Sequence, residues 1–303
     1  MKLFDGIKVL LGPSTFAAQD SSPVEKLIEA GCEIINNPFG RKLTKDELIE
    51  LLQGVKGLIS GLETLDAQVM SKSELKVISR CGSGMSNVDI EAAGRYGIKV
   101  FSTPNGPTSA VAELTLGAML NLLRMVSLMD RDLHEGRWTK KIGTQLEGKT
   151  VAIIGLGRIG RKVASLLKPF NVRLLAADPS VRENIDGIQI LPLDKALAEA
   201  DIITLHSSGE QQIIGDDEFR FIKGGTFILN SARGGLINES SLIRAIESDK
   251  IAGAWLDTFS VEPYVGQLTK YPQVMLTPHV GSYTLECRKS MEMEAVDNLL
   301  SAF

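Results

Sequence analysis

One stretch constrains this chain more than any other, GKTVAIIGLGRIGRKVASLLKPFNVRLLAADP over residues 148–179. Thr150–Ile154 is a short apolar, partly β-branched run of the kind that forms a strand buried on both faces. Gly155, Gly157 and Gly160 follow with the spacing G-x-G-x-x-G. Residues 161–170 then carry apolar side chains at Val163, Ala164, Leu166 and Leu167, a helical spacing. Residues 172–177 predict a second strand, which stops at Asp178. Each part suits a dinucleotide. Gly155 permits a tight strand-to-helix turn, Gly157 lets backbone N–H groups approach a pyrophosphate, and Gly160 lets the helix lie close on its strand. The positive end of that helix attracts phosphates. Asp178 stands about 20 residues on, where a carboxylate accepts hydrogen bonds from a ribose and repels a 2′-phosphate. NAD is therefore the expected cofactor, ahead of NADP. The competing reading is a glycine-rich α/β turn that binds nothing.

With 303 residues there is room for two domains, each with its own core. A net charge of −4 argues against nucleic acid or an anionic membrane as the main partner. The longest apolar stretch, residues 114–129, is broken by Asn121 and Arg124 and is not read as a membrane span. Asp5 and Gly6 stand where an export signal needs apolar residues, so no such signal is expected. Cys32, Cys81 and Cys287 are far apart, with no C-x-x-C; reduced thiols in a cytoplasmic protein, and no metal site, are the expectation.

Strand-like runs at residues 8–12, 33–36, 57–60, 76–80 and 99–102 alternate with helical patterns at 22–30, 44–52, 67–72 and 90–96. Such alternation predicts a parallel sheet covered by helices on both faces. The glycine-bearing loop CGSGMSNVDI leaves the fourth of these strands. Residues 103–107 (T-P-N-G-P) make the clearest break in the chain. A long helix is expected over about 109–134, apolar around so much of its circumference that it is either buried within its own domain or, the preferred reading, covered by a second subunit. After the glycine fingerprint the alternation resumes, with helices at 194–200 and 240–248 and strands at 202–206, 225–230, 252–256 and 274–276. A terminal helix at 284–303 is free to rejoin the first domain. The chain thus reads as α/β with two doubly wound parallel-sheet domains, 1–102 plus 284–303 forming one and 103–283 the insert. A small substrate is expected in the cleft between them.

The chain has three histidines, His134, His206 and His279. His134 lies in a charged stretch and reads as solvated, while His206 ends a strand and reads equally well as structural or as lining the cofactor edge. His279 sits in L-T-P-H-V-G, Arg233 in N-S-A-R-G-G and Glu262 in F-S-V-E-P, all after the C-terminal ends of strands. That is the edge at which open α/β sheets hold ligands. Moving a hydride from a secondary alcohol to nicotinamide requires a base for the hydroxyl proton, which histidine supplies with a carboxylate to fix its tautomer. It also requires a cation for a planar carboxylate, which suits arginine's fork. Taken singly, each residue also reads as a surface charge or a turn residue.

These residues sit in motifs that resemble the D-isomer-specific 2-hydroxyacid dehydrogenase family, most closely its D-3-phosphoglycerate dehydrogenase branch. The motifs are SRCGSGMSNVD, TPNGPTSAVAELTLG, GLGRIG, ADIITLH, LNSARGGLINE, AWLDTFSVEP and TPHVG, in that order along nearly the whole chain. The resemblance implies a Rossmann nucleotide domain inserted into a flavodoxin-like substrate domain. It gives Arg233 the substrate carboxylate, His279 the acid/base role and Glu262 the task of orienting it. It further implies that Asp257 and the backbone of Ser231, Ala232 and Arg233 meet the nicotinamide end of NAD, and that Ser83, Arg158, Ile159, Ser207, His279 and Gly281 line the cofactor site. Two departures stand out. Gly61, Leu62, Glu63 and Thr64 occupy the place of the family's R-S-x-T, so an arginine is missing. Arg80 is the candidate to replace it, with Gly82, Ser83 and Gly84 as further substrate-binding candidates. The family's H-x-P is His206-Ser207-Ser208 here. With the sequence ending at Phe303, serine feedback through an appended regulatory domain is not expected. The expected activity is NAD-dependent interconversion of a D-2-hydroxy acid and its keto acid, with 3-phosphoglycerate the first choice of substrate. A glyoxylate, hydroxypyruvate or other 2-keto acid reductase, and an NAD-sensing corepressor-like binding protein, are the alternatives.

Overall fold

A computed structural model describes residues 4–303 and divides the chain into two units, the second inserted in the first. The start of the N-terminal stretch considered for an export signal lies outside the described residues. Unit 1 runs to Pro107 and resumes over Ser282–Phe303, and unit 2 is Thr108–Gly281.

Unit 1 alternates β1 (Lys8–Leu11), α1 (Ser22–Ala30), β2 (Glu33–Asn36), α2 (Lys45–Leu51), β3 (Gly57–Ser60), α3 (Ala67–Ser71), β4 (Val77–Arg80), α4 (Ile90–Arg95) and β5 (Lys99–Ser102). Local chemistry sets the helix ends. The Thr44 hydroxyl accepts from the Glu47 N–H while the Glu47 carboxylate accepts from the Thr44 N–H, a reciprocal cap that starts α2. The strands pair in parallel in the order β2-β1-β3-β4-β5, so the order reverses between β1 and β3. That is the flavodoxin-like arrangement.

Unit 2 contains α5 (Pro107–Arg124, its first residue the last of unit 1), α6 (Val126–His134), β6 (Thr150–Ile154), α7 (Arg158–Leu167), β7 (Arg173–Ala177), β8 (Ile188–Ile190), α8 (Leu193–Glu199), β9 (Ile202–Leu205), α9 (Asp216–Phe221), β10 (Thr226–Asn230), α10 (Glu239–Glu247), β11 (Ile251–Leu256) and β12 (Val274–Leu276). Its sheet is parallel with the order β12-β11-β10-β9-β6-β7-β8, the Rossmann order extended by one strand. Side chains alternate across β6. Val151 and Ile153 enter one apolar cluster, with Trp255, Leu123 and Leu167, while Ala152 and Ile154 enter the other, with Leu205 and Ile228. The chain then returns to unit 1 as α11 (Leu285–Ala302).

The structure departs from the sequence reading at several points. The single helix expected over 109–134 is two, α5 and α6, bent by 66° at Met125. Met125 adopts the left-handed conformation with φ 52°, and the Asn121 Oδ1 accepts from the Ser127 N–H and hydroxyl, so a side chain of α5 caps α6. Among the described residues no single helix is long and apolar enough to cross a membrane. The unit boundary falls at 107/108 and 281/282, not 102/103 and 283/284. T-P-N-G-P belongs to unit 1 because the Thr103 hydroxyl accepts from the Gly82 N–H at 2.6 Å and the Asn105 amide donates to Glu294. The helix after the fingerprint begins at Arg158, not at residue 161, so Gly160 lies within its first turn. Strand β8 and helix α9 are additions to the elements expected.

Candidate active site

The turn after β6 has the conformation its glycines require. Gly155 has φ 95°, and a Cβ there would stand 2.5 Å from the Ser207 nitrogen. A Cβ on Gly160 would run into the Gly155 carbonyl, whereas Gly157 faces open space. So Gly155 and Gly160 hold the turn, and Gly157 leaves an uncrowded approach to the N-terminus of α7 for a pyrophosphate. Arg158 follows in the first turn, exposed, with Ile159 half-buried. Ser207 donates to the Ile154 carbonyl, so the loop after β9 is tied to the end of β6. Asp178 follows β7, with its Oδ2 accepting from the Leu156 N–H at 2.7 Å and its Oδ1 accepting from the Ser180 N–H and hydroxyl. Burial pushes this carboxyl up, but the Ser180 hydroxyl, the Leu156 and Ser180 N–H groups and the Arg161 charge outweigh it and hold it below the usual carboxylate range. A fixed turn, an open helix N-terminus and an ionised acid fit a dinucleotide.

The second half of the site lies at the C-terminal ends of β10, β11 and β12. Asn230, buried at the end of β10, holds the loop that follows: its Oδ1 accepts from the Ala232 N–H and its Nδ2 donates to the Arg233 carbonyl. The Ser231 hydroxyl lies 3.3 Å from that of Thr115 on α5. Arg233 is half-buried and its guanidinium donates to the Ala232 carbonyl at 2.7 Å. Gly234 packs on the backbone of Phe259 and Ser260, leaving no space for a Cβ, so the arginine's loop lies against the loop that carries Glu262. The Glu262 carboxylate sits 2.9 Å from the His279 Nδ1 and also accepts from the Phe259 N–H. His279, between Pro278 and Val280, has φ 53°, a conformation a β-carbon-bearing residue seldom adopts. Its side chain is half-exposed. The predicted pair of Glu262 and His279 is therefore assembled within unit 2, with Arg233 on the neighbouring loop.

Other expected site residues are placed as follows. Asp257 is only 1 % exposed, and its carboxylate accepts from Thr277, Val280 and Gly281. His206 is half-buried with its Nε2 2.9 Å from the Thr204 hydroxyl, and burial pushes its imidazolium down to about 3, so the ring is neutral. His134 is exposed at the end of α6, as its charged surroundings suggest. In unit 1, Arg80 donates to the Cys81 carbonyl and lies across Gly82, with Ser83 exposed and Gly84 half-buried in the loop beyond. Among the described residues no group of three or more His, Cys, Asp or Glu side chains is arranged for a metal ion. Asn230, Thr115 and Thr277 escaped the sequence reading. A buried Asn, Ser or Thr at a strand end is a weak signal until the paired strand ends are known.

The family model of the D-isomer specific 2-hydroxyacid dehydrogenase NAD binding domain matches residues 116–281. The chain belongs to that family. Unit 2 accordingly is an NAD-binding Rossmann domain. The D-3-phosphoglycerate dehydrogenase of Sus scrofa is 36 % identical over 90 % of this chain and 54 % of its own length. The hydroxypyruvate reductase of Thermotoga maritima is 34 % identical over 85 % of this chain and 88 % of its own. The solved structure of TT0316 protein from Thermus thermophilus superposes with a TM-score of 0.89 at 31 % identity, covering 98 % of this chain and 96 % of that one. The chain spans about half the length of the phosphoglycerate dehydrogenases it matches.

Proposed function

We propose that the protein is an NAD-dependent oxidoreductase that interconverts a D-2-hydroxy acid and its 2-keto acid. The observation that carries this reading is the 2.9 Å pair of Glu262 and His279 within an NAD-binding unit. Gly155, Gly157, Arg158, Ile159 and Gly160 would hold the pyrophosphate, and Asp178 the ribose. Bound NAD supplies a hydride acceptor, and NADH a donor in the reverse direction. Glu262 accepts a hydrogen bond from the His279 Nδ1–H, which fixes the tautomer and leaves Nε2 of His279 to accept the substrate's hydroxyl proton. In reduction the same nitrogen returns it. Arg233 offers a planar fork to the substrate carboxylate, orienting the carbon that reacts.

The relatives' names support 3-phosphoglycerate as a substrate, its keto partner being 3-phosphohydroxypyruvate, and we propose with that pair a place in serine biosynthesis. One observation favours a second reading, an unphosphorylated 2-keto acid such as hydroxypyruvate or glyoxylate. At the β1/β3 reversal of unit 1 the stretch 61–64 carries no arginine and its Glu63 carboxyl is buried against Gly12 and Gly61, so that stretch offers no cation to a phosphate. We further propose a cytoplasmic homodimer, covered through residues 109–134 and the segment beyond. Val126 and Leu133 are exposed there, Trp138 is 81 % exposed and Ile142 is 96 % exposed. The test is NADH oxidation with 3-phosphohydroxypyruvate, hydroxypyruvate and glyoxylate under identical conditions. Turnover of any of them supports the enzyme, and the ranking chooses between the readings. NADH binding without turnover across a wider panel of keto acids would leave an NAD-sensing binding protein instead.

A further inference from the structure

Every backbone N–H from Thr277 to Gly281 has a partner inside unit 2, and one side chain supplies two of them. The Thr277 N–H donates to the Leu256 carbonyl, residue 278 is proline, and the His279 N–H donates to the Thr277 carbonyl at 2.9 Å. The next two donate to a single acid, Val280 to the Asp257 Oδ1 at 2.9 Å and Gly281 to the Asp257 Oδ2 at 2.8 Å. The Thr277 hydroxyl donates to the same Oδ1 at 2.6 Å while accepting from the Trp255 Nε1–H at 3.0 Å. Trp255 is fully buried, so this chain of bonds is rooted in the core. It brackets His279, the residue whose left-handed backbone turns its imidazole toward Glu262.

We propose that Asp257 is a positioning residue for His279: together with Thr277 it pins both flanks of the strained residue, fixing where the imidazole stands. The pairing of β11 with β12 puts the two acceptors in place, since Leu256 and Leu276 are register partners and Asp257 and Thr277 are the residues that follow. A carboxylate has acceptors for all three hydrogens, whereas an amide would turn an N–H₂ toward at least one donor. This inference rests on the reading of His279 as the acid/base.

The test uses the full chain with NADH and whichever keto acid it turns over. In Asp257→Asn the imidazole is misplaced by a fraction of an ångström to an ångström, so kcat falls on the order of 100-fold. The NADH Kd, measured by fluorescence, stays within about threefold, which separates a lost transition-state contribution from lost ground-state binding. Thr277→Val costs about tenfold in kcat, and Thr277→Ser, which keeps the hydroxyl, recovers activity to within about twofold. The Thr277 pair decides the matter if Asp257→Asn does not fold. A kcat in Asp257→Asn close to that of the parent overturns the proposal. So does an NADH Kd weakened at least tenfold with the hydride-transfer step unchanged in single turnover, which would make Asp257 a cofactor contact. His279→Ala is measured alongside: if it is active, the acid/base reading fails, and if it is dead while Asp257→Asn and Thr277→Val are unaffected, only the positioning role fails.

Discussion

Removing the Asp178 carboxylate should change which dinucleotide the protein accepts, and the size of the change follows from its surroundings. The group is ionised over the whole neutral range, because the hydrogen bonds from Ser180 and Leu156 outweigh its partial burial. A 2′-phosphate carries about −1.5 to −2 charges near neutral pH. Two unit charges about 4 Å apart repel by about 1 kcal/mol in water and about 4 kcal/mol at an effective dielectric constant of 20. For a half-buried carboxylate facing a phosphate, about 2–4 kcal/mol is a reasonable bracket, or roughly 30- to 1000-fold against NADP. Asp178→Ala also removes a charged acceptor from the ribose hydroxyls, worth about 1.5–3 kcal/mol to NAD binding. The ratio of kcat/KM for NAD over NADP should therefore fall by at least about two orders of magnitude. The Leu156 N–H, on a residue 1 % exposed, loses its partner in that variant, so some loss of thermal stability is expected. Asp178→Asn keeps an acceptor there and separates the charge effect from the structural one. Steady-state kinetics with both cofactors checks this. A ratio altered by less than about threefold in a folded Asp178→Ala protein would show that the charge does not choose the cofactor.

His206 gives a pH prediction. Its folded value of about 3 lies below the ordinary one, so the neutral ring contributes stability that is complete above about pH 6.5 and drains away as the pH falls toward 3. Thermal unfolding between pH 7 and pH 4 should show that loss, and His206→Gln should flatten it; an equally steep acid limb in the variant would rule His206 out as its source. Burial pushes the Cys81 thiol up to about 12, the Cys287 thiol up to about 11 and the Cys32 thiol above its ordinary value. All three cysteines are free and buried, so the folded protein at pH 8 should resist a thiol reagent that titrates three groups after denaturation, and rapid labelling of the native form would contradict this. Sedimentation of the parent at micromolar concentration should report a dimer and Trp138→Ser/Ile142→Ser a monomer, whereas a monomeric parent would end the proposed pairing.

Much of this architecture was legible in the residues because its signals are local. Short apolar runs ended by Gly61, Gly155 and Asp178 located β3, β6 and β7, and the three glycines with Asp178 marked the turn and the strand that follows it. The break between α5 and α6 was hidden because Met125 is an ordinary helix residue. It turns left-handed through contacts made elsewhere, with Asn121 capping the next helix and the Thr144 N–H taking the Leu123 carbonyl. The end of unit 1 was displaced for the same reason, since Thr103 and Asn105 are held by Gly82 and Glu294, distant in sequence. Strand β8 is only three residues long, though Asp186-Gly187 before it is a turn signal that could have exposed it. At the site, Glu262 and His279 were readable as residue types suited to proton transfer. The part played by Asp257 was not, because it depends on β11 and β12 ending side by side.

The position of α11 has a consequence for how the chain is made. The helix packs on the strands of unit 1, with Leu299 and the Phe303 that follows it against Gly57, Asn298 bonded to the Ser102 carbonyl and the Ala302 carbonyl accepting from Lys99. Those strands leave the ribosome early, but the helix that seals them is translated only after the whole insert. Residues 108–281 are synthesised without interruption and can fold as a block while the earlier segment still waits with an apolar face uncovered. The order of completion is thus the reverse of the order of synthesis, and the exposed interval lengthens with every residue of the insert.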